Sequence, residues 1–347
     1  MIFKISKEVI ERKIDILTNN NILSNNPETE VYINKKKYKY KEEFIPKTEG
    51  DYHILYKLKN TLTNCSNMFN GFFCNHNYFY IINLDLSHLD FQKVTDMSSM
   101  FSNCNIPNLD LSNIYTGNVI NMSYMFGCSN EYYMSGGNKL TNVDLSGFDF
   151  TNVINVSYMF SNCCNLKNVV LPKFNNRNPT YMSYMFQSCS YLEIITLSSV
   201  NNINIIYMNH MFTGCNRLTY IDLSGFDFAN VINMIYMFEN CHSLKNVVLP
   251  KFNNKNSTDL TCMFLSCSNL ENITLSSVTN INFTNMSSMF YNCTNLKYVD
   301  LSKFDFTNVG NMSNMFYGCN YLRKIKLNKN CGQIRDSISN QNIIEYC

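Results

Sequence analysis

The 347-residue chain has no tryptophan and a net charge of only +2. A nearly neutral chain has no global electrostatic reason to seek nucleic acid or an anionic membrane. No window approaches the ~20 consecutive apolar residues of a membrane helix, so no membrane insertion is expected. The start, Met1-Ile2-Phe3-Lys4-Ile5-Ser6-Lys7-Glu8, carries charges throughout and no apolar stretch of signal-peptide length. Lipidation and anchor patterns are missing as well, since Cys347 is a lone cysteine and not a C-a-a-X box. The sequence by itself therefore places the chain in the cytosol. Cys-x-x-Cys spacing is absent despite 15 cysteines, and His53, His76, His88, His210 and His242 are scattered. There is no nucleophile–base pair and no phosphate loop, so neither a metal, a cofactor nor a catalytic residue is expected.

Charge is unevenly spread. Residues 1–60 carry 12 Lys/Arg and 9 Asp/Glu, against 16 and 17 over the other 287. In the charged region Lys7–Leu17 sets Ile10, Ile14 and Leu17 on one helical face, and Val31–Tyr40 and Asp51–Leu58 read as strands. Residues 1–60 are thus expected to form a small α+β cap. The run Lys35-Lys36-Lys37-x-Lys39-x-Lys41, followed at once by Glu42-Glu43, reads as a solvated hairpin turn.

What the rest of the chain has is periodicity. Met-Phe pairs begin at Met68, Met100, Met125, Met159, Met185, Met211, Met237, Met263, Met289 and Met315, the last seven at a strict 26-residue step. Leu145–Val170 and Leu223–Val248 match at 20 of 26 positions, so three repeats were duplicated together as a 78-residue block. The step before Met159 holds an eight-residue insert, Glu131–Asn138, expected to bulge as a loop. The long first step around Phe72–Phe79 marks an atypical terminal repeat.

Within one repeat, Met312, Met315, Phe316, Cys319 and Leu322 follow the spacing i, i+3, i+4, i+7, i+10, which predicts a short helical turn. Leu296–Leu301 alternates, with Val299 and Leu301 inward and Tyr298 and Asp300 outward, which predicts a short strand. One such unit cannot bury its apolar face alone, so copies must stack. The expectation is an α/β repeat solenoid of ~26-residue strand-plus-helical-turn coils with a parallel sheet on the order of 50 Å long. It occupies residues 61–327 in about ten coils, with residues 328–347 as a C-terminal cap or tail.

The string Asn-Met-Ser-x-Met-Phe-x-x-Cys-x-x-Leu-x-x-hydrophobic-Asp-Leu-Ser-x-Phe-Asp resembles the repeat of BspA-like leucine-rich-repeat surface proteins. Clear instances are Asn121–Phe126, Asn285–Phe306 and Asn311–Phe316. The resemblance spans roughly residues 65–327. It implies a leucine-rich-repeat fold, display at the cell surface and adhesion to host or neighbouring-cell proteins, and it supplies no catalytic residues.

Repeat interiors are constrained by stacking, so partner choice must fall on the outward strand positions. These are Asn142, Asp144, Asn168, Val170, Ile194, Thr196, Tyr220, Asp222, Asn246, Val248, Asn272, Thr274, Tyr298 and Asp300. Their mix of Tyr, Asn, Asp and Thr suits a protein or glycan better than a phosphate backbone. The expected function is a non-catalytic interaction module; an intracellular scaffold is the alternative. A third reading, a carbohydrate-active enzyme, rests on Asp85, Asp110 and Asp144 at equivalent positions of successive coils, ~5 Å apart like the carboxylates of retaining glycosidases. The ladder Cys163, Cys189, Cys215, Cys241, Cys267, Cys293 and Cys319 lies on the apolar stripe and is expected to be free, buried core. Cys262 and Cys347 lie off that stripe and are expected to be more reactive.

Overall fold

The computed structural model describes residues 2–5, 28–39, 44–70, 79–104, Ile106, 109–128, 139–174, 179–197, 204–250, 256–274, 282–304, 306–327, Ile334, Ile338 and 343–346. The helix expected over Lys7–Leu17, the Glu131–Asn138 insert and most of Phe72–Phe79 lie outside these residues. So does most of the 328–347 tail.

The N-terminal unit is a five-stranded antiparallel sheet of β1 (Ile2–Ile5), β2 (Glu30–Ile33), β3 (Lys36–Tyr38), β4 (Gly50–Lys57) and β5 (Phe79–Asn83), in the order β3-β2-β4-β1-β5. In place of the one strand expected over Val31–Tyr40, Glu30–Ile33 and Lys36–Tyr38 form a hairpin, β2 and β3, turned by Asn34 and Lys35 at φ 46° and 69°. Left-handed values at both turn residues match the twist of the flanking strands.

Beyond it the chain winds into a parallel solenoid. The first ladder holds β6 (Asn142–Asp144), β7 (Asn168–Leu171), β9 (Ile194–Leu197), β11 (Tyr220–Asp222), β12 (Asn246–Val248), β14 (Asn272–Thr274), β16 (Tyr298–Asp300), β17 (Lys324–Leu327) and β18 (Ile344–Tyr346). It forms three parallel sheets, β6-β7-β9, β11-β12 and β14-β16-β17-β18, with partners one repeat apart except in β17-β18, where they are 19 residues apart. The second ladder runs through β8 (Pro179–Tyr181), β10 (Asn204–Tyr207), β13 (Ser257–Asp259) and β15 (Asn282–Asn285). Single parallel bridges extend it, from Asn64 to Asp96, Asn121, Asn155 and Tyr181, and from Asn285 to Asn311.

The expected helical turn does not form. Tyr184, His210, Tyr236, Cys262 and Ser288, each just before a Met-Phe pair, sit at φ 54–61°, and a second left-handed residue follows four positions on, as at Ser188 and Asn240. An α-helix excludes such values. In its place run overlapping four-residue turns, with Met185 N–H donating to Met182 O, Gln187 to Tyr184 and Cys189 to Phe186. The alternate N–H groups leave the coil: those of Tyr184, Phe186 and Ser188 donate to Asn209, Met211 and Thr213 of the next coil at 2.7–2.9 Å. Such turns bury residues at i, i+3, i+4 and i+7 as a helix does, which is why the spacing misleads.

Asparagine and aspartate set the corners. The side chains of Asn64, Asp96, Asn121, Asn155, Asn233, Asp259, Asn285 and Asn311 each accept the backbone N–H two residues on, at 2.7–3.1 Å. Asp85, Asp110, Asp144, Asp222 and Asp300 do the same for the following serine. These residues close the turn with a side-chain oxygen, and the chain holds 57 asparagines for such work. Inside, Phe69, Phe101, Phe126, Phe160, Phe186, Phe212, Phe238, Phe264, Phe290 and Phe316 form one column with ring centroids 5.2–5.7 Å apart.

Candidate binding face

The outward strand positions stand in rows fixed by sheet register. Asn142, Asn168 and Ile194 are Cα partners in turn, as are Asp144, Val170 and Thr196. Tyr220 pairs with Asn246 and Asp222 with Val248, while Asn272 pairs with Tyr298 and Thr274 with Asp300. No strand pairing joins β9 to β11 or β12 to β14 among the described residues, so the expected continuous sheet comes as three. The inward neighbours Val143, Val169, Ile221, Val247, Ile273 and Val299 are buried.

Ile194 is 57% exposed, Tyr220 52% and Val248 39%, while Asn142, Asp144, Thr196, Asp222, Asn246 and Asn272 are also exposed. Asn168, Val170, Tyr298 and Asp300 are half-buried. Side chains bond along and across the rows: Asn168 Nδ2 donates to Asn142 Oδ1 at 2.6 Å, and Tyr298 OH to Asp300 Oδ2 at 3.2 Å. Lys326 Nζ lies 3.9 Å from Asp300. Sequence reasoning did not extend the face to Lys324 and Lys326 of β17, although both continue the outward alternation.

Two further features went unread. Arg217 lies over the Tyr191 ring, 4.1 Å from its centroid, and 3.4 Å from Glu193, beside the face. A surface column of Tyr124, Tyr158, Tyr184, His210 and Tyr236 stacks at 4.4–4.8 Å on the left-handed residues. Burial pushes the Tyr158 phenol up to about 12. The 26-residue recurrence of aromatics at these positions was the available signal.

Asp85, Asp110 and Asp144 are exposed, and hydrogen bonds from the serine two residues on hold each carboxyl below the usual range. A glycosidase acid needs the opposite shift. A groove of about 520 Å³, lined by Gln92, Lys93, Thr95, Asn118, Ile120, Asn152 and Ile154, contains no carboxylate.

The ladder cysteines are free, and each thiol donates to a phenylalanine carbonyl of the preceding coil: Cys189 to Phe160, Cys215 to Phe186, Cys241 to Phe212 and Cys267 to Phe238, at 3.0–3.2 Å. Cys262 was expected at an accessible position, yet it is only 6% exposed. It occupies the left-handed column after Tyr236, and burial raises its thiol above the ordinary value. Cys347 lies outside the described residues.

The geometry defines a class: a parallel repeat solenoid of leucine-rich type. A family model described as "Mycoplasma protein of unknown function, DUF285" matches residues 63–196, 128–252 and 206–330, and the chain belongs to that family. A search of curated proteins found no match. Among solved structures, a leucine-rich repeat protein from Bacteroides ovatus is 16% identical with a TM-score of 0.32, covering 85% of this chain and 94% of its own. A leucine-rich cell surface protein from Faecalibacterium prausnitzii is 13% identical with a TM-score of 0.29, covering 78% and 83%.

Proposed function

We propose that the chain is a non-catalytic binding module whose ligand face is the outward side of the first ladder, from Asn142 to Asp300. One observation carries the reading: side chains in strict register alternate between a buried row of Val and Ile and an outward row of mixed Tyr, Asn, Asp, Thr and Ile. The inward row maintains the stack; the outward row is free to match a partner. A protein or glycan suits its rings and amides. Likeness of the repeat to BspA-like surface proteins supports an adhesin-like role at a cell surface. The lowered Asp85, Asp110 and Asp144 carboxyls argue against glycan cleavage.

The test uses the labelled chain on protein and glycan arrays. The variant combines Tyr220→Ala and Tyr298→Ala with Asp222→Asn and Asp300→Asn; asparagine retains the oxygen that closes each turn. Binding should fall at least about tenfold, the loss of roughly 1.4 kcal/mol expected when aromatic anchors are removed, with an unchanged circular dichroism spectrum. Undiminished binding would show that the face is wrong.

A second reading, an intracellular scaffold, is favoured by the free thiols of the core ladder. Antibody labelling of unpermeabilised cells separates the two, because only a surface protein is reached.

A further inference from the structure

The two ladders end differently. In the first, the edge of β17 is covered by β18, fastened by Lys324 Nζ on Glu345 at 2.6 Å. At the N-terminal end Cys65, Met68 and Phe69 are each under 5% exposed and pack in one core with Val31, Phe44, Tyr52 and Ile54 of the N-terminal unit. At the C-terminal end of the turn ladder no strand pairs with the last coil among the described residues, although Ile334 and Ile338 of the following segment are buried in the same core. In the penultimate coil, the N–H groups of Met286, Ser288, Phe290 and Asn292 donate to the carbonyls of Asn311, Ser313, Met315 and Tyr317 at 2.8–2.9 Å. The equivalent N–H groups of the last coil, on Met312, Asn314, Phe316 and Gly318, have no acceptor among the described residues.

This edge is unlike that of an ordinary strand, where donors and acceptors alternate. Left-handed residues at Asn314 (φ 55°) and Gly318 (φ 77°) turn the outward amides the same way, so the edge offers donors only. Beside it the phenylalanine column ends on Phe316, half-buried and stacked by one ring, Phe290, among the described residues. Tyr317 is 62% exposed and Tyr321 58%. Unpaired edges are templates for another chain, and proteins usually cover or break them.

We propose that the row Met312–Gly318 is a docking edge for a second polypeptide: a coil of the same repeat type on another chain, presenting a row of backbone carbonyls and one aromatic ring. Every interior joint of the turn ladder is that pairing, with the carbonyls of one coil on the amides of the coil before it and phenylalanine on phenylalanine. A second copy of this chain does not fit, because its own first ring, Phe69, is already covered. The partner enters through an uncovered first coil and extends the phenylalanine column.

Residue-resolved hydrogen exchange on the full chain tests this. In the free protein the amides of Met312, Asn314, Phe316 and Gly318 should exchange at least about a hundred times faster than those of Met286, Ser288, Phe290 and Asn292. The probe is the capped peptide of residues 285–292, which carries the four carbonyls and the ring. At millimolar concentration it should slow the four terminal amides by about tenfold, and a scrambled peptide should not. The variant Phe316→Glu should lose that protection while the interior amides, as its control for folding, stay slow. Absence of peptide protection overturns the proposal. Equal protection by inorganic phosphate would make the edge an anion site instead. Self-association that protects the same amides would overturn the exclusion of a second copy.

Discussion

The thiol of Cys241 donates to the carbonyl oxygen of Phe212 at 3.1 Å, and that oxygen also accepts the N–H of Cys215 at 3.1 Å. A carbonyl has two lone pairs, and here both are used, one within the coil and one from the next. This acceptor changes what a serine would cost. A buried hydroxyl with no partner loses several kcal/mol, but Cys241→Ser meets an oxygen already aimed at it. The expected destabilisation is about 1 kcal/mol by urea unfolding, with Cys241→Ser folding normally. A loss beyond about 3 kcal/mol would mean that the hydroxyl is unpaired. That the ladder cysteines belong to the core was legible in the sequence from their place on the Met-Phe stripe, although Cys319 in the last coil is only half-buried; their hydrogen bonds were not. A one-dimensional pattern says which side of the coil a residue faces and nothing about the coil below.

The turn row shows the same division between what a sequence reveals and what it hides. The buried positions of the interior coils follow the spacing, while Phe316, Cys319 and Leu322 of the last coil are half-buried, and the backbone that carries them is a chain of turns and not a helix. Asn67, Asn314, Gly214 and Gly318 occupy left-handed positions and tolerate them, a usable hint. Tyr158, His210 and Ser288 fill the same columns and conceal it. The strand row was legible because alternation has no comparable double meaning: Val299 in and Tyr298 out fits a strand alone. The outward residues could be named for the same reason, whereas the gaps between the three sheets leave no mark in the repeat. Energetically the turn row depends on its ring column. Phe238 is stacked on both sides, by Phe212 and Phe264, whereas Phe316 has one stacked neighbour and is half-buried. Phe238→Ala should cost about 4 kcal/mol. Phe316→Ala should cost about 1–2 kcal/mol, since less apolar area is lost. Chemical denaturation of the two variants in parallel checks the order, and equal costs would contradict the stacked column.

At the scale of the molecule, stacking one free thiol per coil makes stability depend on alkalinity. Burial raises Cys65, Cys241 and Cys319 from 9.0 to about 12, and pushes Cys189, Cys215 and Cys267 well up. The unfolded chain releases these protons first. Above pH 9 it therefore binds fewer protons than the folded chain, and stability falls as pH rises towards the folded values. The contribution is complete below about pH 9 and is lost between about 9 and 12, at up to about 1.4 kcal/mol per pH unit for each thiol. Thermal melts from pH 7 to 11 should be flat at first and then drop steeply. Replacing two ladder cysteines by alanine should make that drop shallower, and an unchanged slope would show that other groups cause it.

The amides that link one turn row to the next also give that row a polarity. In the turn row of Val156–Cys163, the N–H groups of Val156, Tyr158, Phe160 and Asn162 all point to the following coil, while outside that row Tyr181 N–H bonds back to Ile154 and the N–H groups of Glu193 and Ile194 bond back to Lys167. Each peptide unit carries about 3.5 D, and repeated alignment adds into a macrodipole. Its positive pole lies at the C-terminal end of the array, the reverse of an α-helix, whose positive pole is its N-terminus. Anions should therefore be stabilised near the last coil and cations near the first. Asn320 is exposed two residues beyond Gly318. Asn320→Asp should stabilise the protein and Asn320→Lys destabilise it, each by a few tenths of a kcal/mol to about 1 kcal/mol at low salt. The difference between them should shrink in 0.5 M salt, and the opposite ordering at low salt would show that the turn row has no net polarity.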